Sequence, residues 1–192
     1  ITAGGYISPN NQDLTETWNG SAWTEVNELN TATRGASGFG SSTAALSAGG
    51  RVPPNTNSAK NESWNGTSWT EVADLNSARA DLAGFGIKTS ALAATGEDPT
   101  GRVTLTESWN GTSWTEVNAL NTGNARMGSA GVDNTSALSC GGTSNGTATE
   151  LWNGTNWTTV NSLNDGRWGL SANGTVTSAL TYGGIDGPTT NT

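Results

Sequence analysis

No histidine occurs anywhere in the 192 residues. Its absence removes the commonest general base and the commonest neutral metal ligand. Ser-His-Asp chemistry and histidine-ligated zinc or copper sites go with it. The single cysteine, Cys140, excludes an intrachain disulfide and a thiolate metal centre. It reads as a small buried residue, with an interchain disulfide as the alternative. Only two lysines are present, and Lys plus Arg total 8 against 16 Asp plus Glu, a net charge of −8. Nucleic acid is not an expected partner, because binding phosphate needs clustered cations. No apolar run approaches the roughly 20 residues that span a bilayer, so membrane insertion is not expected. Hydrophobic residues make up 32% of the chain, below the usual range of about 45–50%. Charged residues make up only 12%, so this is not a charge-rich disordered chain either. No twelve-residue window carries a 3.6-residue apolar period, which argues against helices.

What the chain does have is glycine (27 residues) and tryptophan (nine). Eight tryptophans fall in four copies of one stretch: Glu16-Thr-Trp18-Asn19-Gly20-Ser-Ala-Trp23, then Glu62 to Trp69, Glu107 to Trp114 and Glu150 to Trp157. Each Trp pair is followed by a Leu-Asn pair (Leu29-Asn30, Leu75-Asn76, Leu120-Asn121, Leu163-Asn164) and then by an arginine (Arg34, Arg79, Arg126, Arg167). A small-residue stretch comes next, and then an Ala/Leu run ending in glycine, such as Ala45-Leu46-Ser-Ala-Gly49-Gly50. The units run over about 6–50, 51–96, 97–142 and 143–184, as one domain.

Asn-Gly between two β-rich runs is a strong hairpin signal. A two-residue loop would pair Trp18 with Ser21, and a four-residue loop would pair Trp18 with Trp23. Both registers put the two tryptophans on one face, with Thr24 and Val26 on the other. Two further strands are expected from Arg34 to about Gly40 and from Thr43 to Gly50. Four short strands per unit of about 45 residues match the repeat length of a β-propeller blade. The most variable segments, Tyr6–Asp13, Arg51–Asn61, Glu97–Thr104 and Thr143–Thr147, are expected as rim loops, where specificity would sit.

The order Arg34…Leu46…Gly49-Gly50…Trp64…Trp69, repeated as Arg79…Leu92…Gly96…Trp109…Trp114, resembles a kelch repeat. The chain is also similar, more loosely, to Trp-Asn-Gly-rich arrays of bacterial and phage surface proteins. It departs from kelch in having Trp as its first aromatic, a short Trp–Trp gap, and Thr95-Gly96 in place of Gly-Gly. The resemblance implies an all-β propeller of four-stranded antiparallel blades; it implies no activity. Ile1–Gly5 is a fifth copy of the Gly-Gly strand, without the basic region or apolar core of a signal peptide, and reads as a mature or internal start. Four closed blades are expected. The last two strands, about Arg167–Gly184, join the Trp18/Trp23 hairpin, leaving residues 1–5 as a surplus strand and 185–192 as a polar tail. The surplus strand is an edge suited to pairing with another chain.

The in-phase tryptophans (Trp18, Trp23, Trp64, Trp69, Trp109, Trp114, Trp152, Trp157) read as structural anchors between blades. The repeated glutamates and Arg34, Arg79, Arg126 and Arg167 read as Arg–Glu pairs within or between blades, with a cation-binding carboxylate ring as the alternative. Trp168, out of phase and beside Arg167, is the best candidate for an exposed contact; Tyr6 and Tyr182 are further binding candidates. Sequons at Asn19, Asn61, Asn65, Asn110, Asn134, Asn145, Asn153, Asn156 and Asn173 arise naturally from Asn-Gly turns, or mark a glycosylated secreted protein. No cofactor and no catalysis are expected. The functional expectation is a non-enzymatic structural or adhesive propeller of a cell surface, virion or extracellular fibre, whose partners are other protein chains, including copies of itself. A lectin-like module binding glycans and a kelch-type adaptor are the alternatives.

Overall fold

The structure is a computed structural model and describes residues 1–186. Every regular element among them is a β-strand, and all the pairings are antiparallel.

The hairpin at each Trp-Asn-Gly copy explains itself locally. The Asn side chain folds back so that its Oδ1 accepts the backbone N–H groups two and three residues on, at 2.9–3.0 Å in all four copies. The following glycine takes φ between +91° and +101°, open to Gly at no steric cost. The result is the four-residue loop, and Trp18 lies opposite Trp23, Trp64 opposite Trp69, Trp109 opposite Trp114, and Trp152 opposite Trp157. Paired indoles tilt against each other with ring centroids 5.2–5.6 Å apart.

These hairpins form the outer half of a series of blades. Blade 1 has three strands: Thr2–Ala3, Thr15–Trp18 and Trp23–Val26. Blades 2, 3 and 4 have four each, beginning at Ser37–Ser41, Ala83–Ile87 and Gly128–Asp133 and ending in their Trp hairpins. Blade 5 has two, Ser171–Thr175 and Ser178–Tyr182. The first strands of blades 2 to 5 pack on one another in order. Close approach there needs small residues: a Cβ on Gly84 would lie 2.7 Å from the Phe39 ring. The fold is all-β and β-propeller-like.

The Trp faces of blades 2 to 4 each pack on the preceding blade, while the Trp18/Trp23 face of blade 1, expected as an anchor between blades, stays exposed. Trp64 and Trp69 meet Leu29, Val26 and Ile1 of blade 1. Trp109 and Trp114 meet Phe39, Leu46 and Leu75; Trp152 and Trp157 meet Phe85, Leu92 and Leu120. The second indole of a pair reaches across. Trp69 Nε1 donates to Thr15 Oγ1 and Trp157 Nε1 to Thr106 Oγ1, both at 3.0 Å. At the equivalent place between blades 2 and 3, Asn61 replaces threonine, and both Trp114 Nε1 and Asn61 Oδ1 lack a partner.

Two expectations are corrected. The last strands do not join the Trp18/Trp23 hairpin. Residues 2–3 are not surplus, because Thr2 lies opposite Glu16 and Ala3 opposite Thr15, the place that Ser178–Tyr182 would have taken. Blade 5 stands as a separate two-stranded sheet. The four arginines are also not in phase. The carbonyls of Thr33, Arg79, Asn124 and Arg167 accept from Gly5, Gly50, Gly96 and Gly142 and so mark one repeat position. Asp81 donates its N–H to the Gly35 carbonyl, Arg126 to Asp81, and Gly169 to Arg126. These four residues share a φ of +55° to +65° and mark a position two residues later. Arg34 lies between the two positions. A one- or two-residue slip in a short loop is invisible to spacing along the sequence. The rim loops carry more order than expected. Tyr6–Ile7 pairs with Asn10–Asn11, Arg51–Val52 with Thr56–Asn57, and Glu97–Asp98 with Gly101–Arg102. Of the expected tail, Ile185–Asp186 pairs with Arg167–Trp168, and residues 187–192 lie outside the described region.

Candidate interaction surfaces

The repeated glutamates serve the joints between blades. Glu62 Oε2 accepts from the N–H and Nδ2 of Asn30, Glu107 Oε2 from those of Asn76, and Glu150 Oε2 from those of Asn121, at 2.7–2.9 Å. Each of these Asn residues sits in the connection leading into the blade that owns the glutamate. The carboxylate therefore ties the connection down, and the repeated Leu-Asn pair supplies a buried anchor and a polar latch in adjacent residues. The expected Arg–Glu pair occurs once at these positions, between the fully buried Arg79 and Glu107. Arg79 further donates Nε to the Thr95 carbonyl and Nη2 to the Ala93 carbonyl, both at 3.0 Å. Among the described residues no three acidic, histidine or cysteine side chains gather as a metal site. Glu62, Glu107 and Glu150 are committed to these joints and form no ring.

Charges concentrate instead on the rim. Arg51 bridges Asp81 at 2.6 Å and Glu97 at 2.8 Å, and Arg126 reaches Asp81 at 3.3 Å. Burial opposes the charge on Arg51, but these two carboxylates outweigh it and hold its pKa above the ordinary value. Trp168 is half-buried, paired opposite Ile185, with the Arg126 guanidinium 5.4 Å from its ring centre. It is therefore less free than its sequence position suggests. Tyr6 is exposed beneath the Arg34 guanidinium at 4.5 Å, and Tyr182 is exposed at the end of blade 5. Arg167 donates Nη2 to Thr181 Oγ1 at 2.7 Å, while its Nε, also buried, has no partner. Tyr6, Tyr182 and the Trp168/Arg167 pair are not brought together into one site.

The candidate sequons divide by burial. Asn61 is fully buried within its strand, and Asn134 and Asn145 are half-buried. Asn19, Asn65, Asn110, Asn153, Asn156 and Asn173 are exposed. Cys140 is buried, and desolvation pushes its thiol up to about 11.

Exposed apolar surface is unevenly distributed, which spacing along the sequence did not reveal. The large exposed hydrophobic residues in blade 1 and its rim loop are Tyr6, Ile7, Leu14, Trp18 and Trp23. At the far end they are Val160, Leu180, Tyr182 and Ile185, and between the ends only Ile87 and Val132. A cavity of about 220 Å³ beside Ile1, Ala3 and Ser37–Gly40 lies where blade 1 has no first strand. A larger one of about 530 Å³ at the far end is lined by Leu138, Cys140, Thr149, Val160, Leu163 and residues 179–181. The only sequence signal for these surfaces is the partial repeat at each terminus.

No protein-family model matches the sequence, and no curated protein does. Among solved structures the chain is similar to that of YjhT, with a TM-score of 0.78 at 15% identity. The match covers 95% of this chain and 72% of that one. At this identity the likeness is one of fold.

Proposed function

We propose that the protein is a non-enzymatic structural module that assembles with other protein chains through the ends of its blade series. The observation that carries this reading is that, of the eleven large apolar side chains exposed among the described residues, eight lie in or beside blades 1 and 5. Exposed apolar residues grouped in one region of a folded protein mark interaction sites. Three of the four repeat glutamates are already used: Glu62, Glu107 and Glu150 hold Asn latches, and Arg79 neutralises Glu107. The kelch-like order of residues and the likeness to Trp-Asn-Gly-rich surface arrays favour a place on a cell surface, virion or extracellular fibre. The test is the mass of the purified chain over a concentration series by light scattering. Assembly above 19.5 kDa supports the reading, and a monomer at every concentration sinks it.

A second reading has an observation of its own. The exposed Trp18/Trp23 pair offers aromatic faces suited to stacking on sugar rings, as in a lectin-like module. Quenching or a shift of tryptophan emission on titration with glycans would favour it. A kelch-type adaptor binding an unrelated protein draws on the same exposed ends and is separated by whether the chain associates with itself.

A further inference from the structure

We infer that the rim around Asp81 and Arg126 is a docking surface for a short acidic segment of a partner protein. The inference goes beyond the assembly proposed above. It draws on the connections between blades and not on the exposed faces of the end blades.

The backbone gives the first indication. Gly35, Asp81, Arg126 and Gly169 hold one repeat position, and backbone hydrogen bonds of 2.8–2.9 Å stitch it from one connection to the next. All four have φ between +55° and +65°. Glycine adopts this backbone without steric cost and fills the position twice. Aspartate is tolerated there better than most residues, and a long side chain such as arginine is strained. Arg126 is exposed and fills no core. An arginine held in strained backbone at an exposed site points to a use outside the fold.

The charges gathered there give the second. Arg34, Arg51, Arg102 and Arg126 are four of the eight basic residues of the chain. Arg126 reaches Asp81 at 3.3 Å, Arg51 bridges Asp81 and Glu97 at 2.6 and 2.8 Å, and Arg102 lies 3.8 Å from Glu97. Arg34 exchanges backbone hydrogen bonds with Arg51 in both directions. Its guanidinium donates to Asn55 Oδ1 at 2.6 Å and to no carboxylate among the described residues. Four guanidinium groups thus share two carboxylates. The third acid of these loops, Asp98, turns its Oδ1 in on the N–H groups of Thr100 and Gly101 and on the Thr100 hydroxyl. Even with Asp98 counted, the array is cationic in a chain of net charge −8. Arg34 lies over the Tyr6 ring and Arg126 over that of Trp168. Stacking uses the flat face of a guanidinium and leaves its in-plane N–H groups to polar partners. Arg34 gives one Nη to Asn55 and Arg126 one to Asp81, so each keeps N–H groups for an incoming carboxylate.

The same features select the occupant. The two cavities described above lie elsewhere, and the array is a surface. Its cations come from successive connections, so they suit several carboxylates along one segment better than a single small anion. In an extended segment, alternate side chains project to one side about 7 Å apart, which brings two carboxylates to neighbouring connections. A long polyanion fits less well. Beyond the rim it would run over a surface that holds the negative excess of the chain, and like charge repels it there. Acidic residues in a protein segment are confined to a few positions and avoid that repulsion. Tyr6 and Trp168, at the two ends of the array, offer apolar contact to the flanking residues.

The experiment is fluorescence anisotropy of the full-length chain with a panel of short labelled peptides. Each peptide holds three Glu or Asp at a different spacing among Gly, Ser, Ala and Leu, and each has a counterpart with Gln or Asn in their place. Titrations run at about 50 mM and about 300 mM salt. At least one acidic spacing is expected to bind, more weakly at the higher salt, while its amide counterpart does not. Arg34→Gln and Arg126→Gly are each expected to weaken that binding about fivefold. Arg126→Gly should melt close to wild type, because relief of the positive φ offsets the lost surface contacts. If Arg126→Gly fails to fold, Arg34→Gln carries the test alone. No binding by any acidic peptide overturns the inference. So does binding that ignores both arginine variants, or equal binding of the amide counterparts. Binding of a polyuronate chain with no peptide bound assigns the rim to acidic polysaccharide and overturns the protein segment.

Discussion

The Trp18/Trp23 and Trp64/Trp69 pairs are built from the same motif with the same turn, and their ring centroids are 5.6 and 5.4 Å apart at 46° and 45°. Yet Trp64 and Trp69 are 0% and 6% exposed, and Trp18 and Trp23 are 45% and 51% exposed. The geometry of the motif is therefore local, set by the Asn side chain and the following glycine, and it needs no neighbour. Its contribution to stability depends almost wholly on a preceding blade. In a repeat fold the stabilising unit is the joint, and an end blade has only half of one.

The sharpest way to break this comparison is to truncate an indole on each side of it. Trp109→Ala opens a cavity between blades 2 and 3 and is expected to cost about 3–5 kcal/mol in chemical denaturation. Trp18→Ala removes an exposed ring and is expected to cost about 1 kcal/mol or less in the single chain. Equal losses would show that the hairpins contribute within their own blade. The glutamates give a second contrast. Glu107→Ala strands the buried Arg79 guanidinium and is expected to cost about 3–5 kcal/mol, whereas Glu16→Ala should stay within about 0.5 kcal/mol.

The hairpins, the strands flanking them and the propeller-like class were legible because each rests on residues close in sequence. Asn-Gly marks the turn, alternation places both Trp on one face, and period reveals the blades. What joins blades was only half legible. Glu62, Glu107 and Glu150 were singled out, but their partners are Asn30, Asn76 and Asn121, which lie 32, 31 and 29 residues earlier in the chain. The arginines looked periodic because the connections differ by one or two residues, and that slip moves Arg34 and Arg126 out to the rim. Closure was read from strand counting, which cannot tell whether Thr2–Ala3 or Ser178–Tyr182 pairs with Thr15–Trp18. That choice is made by a two-pair ladder and the Gly4-Gly5 turn beside it. The interaction surfaces were least legible, because exposure at the ends depends on what is absent beside them.

A smaller effect sharpens the same comparison at a single atom. Thr106→Val keeps the shape but takes the acceptor from Trp157 Nε1, leaving a buried donor alone, and is expected to cost about 1–3 kcal/mol. Thr149→Val is expected to be near neutral in the monomer, because its Oγ1 has no partner to lose. The ratio of the two melting shifts checks this.

The smallest effect concerns Cys140, which lines the uncovered face of blade 4. Burial favours the neutral thiol, so the folded pKa rises from the ordinary thiol value of 9.0 to about 11. A thiol whose folded pKa lies above its unfolded one favours the native state fully below pH 9, and that contribution fades as pH climbs from about 9 toward 11. Alkylation reads the same quantity as a rate, because only the thiolate attacks. In urea-unfolded chain the rate should level off just above pH 9, and in the folded chain it should still be rising at pH 10.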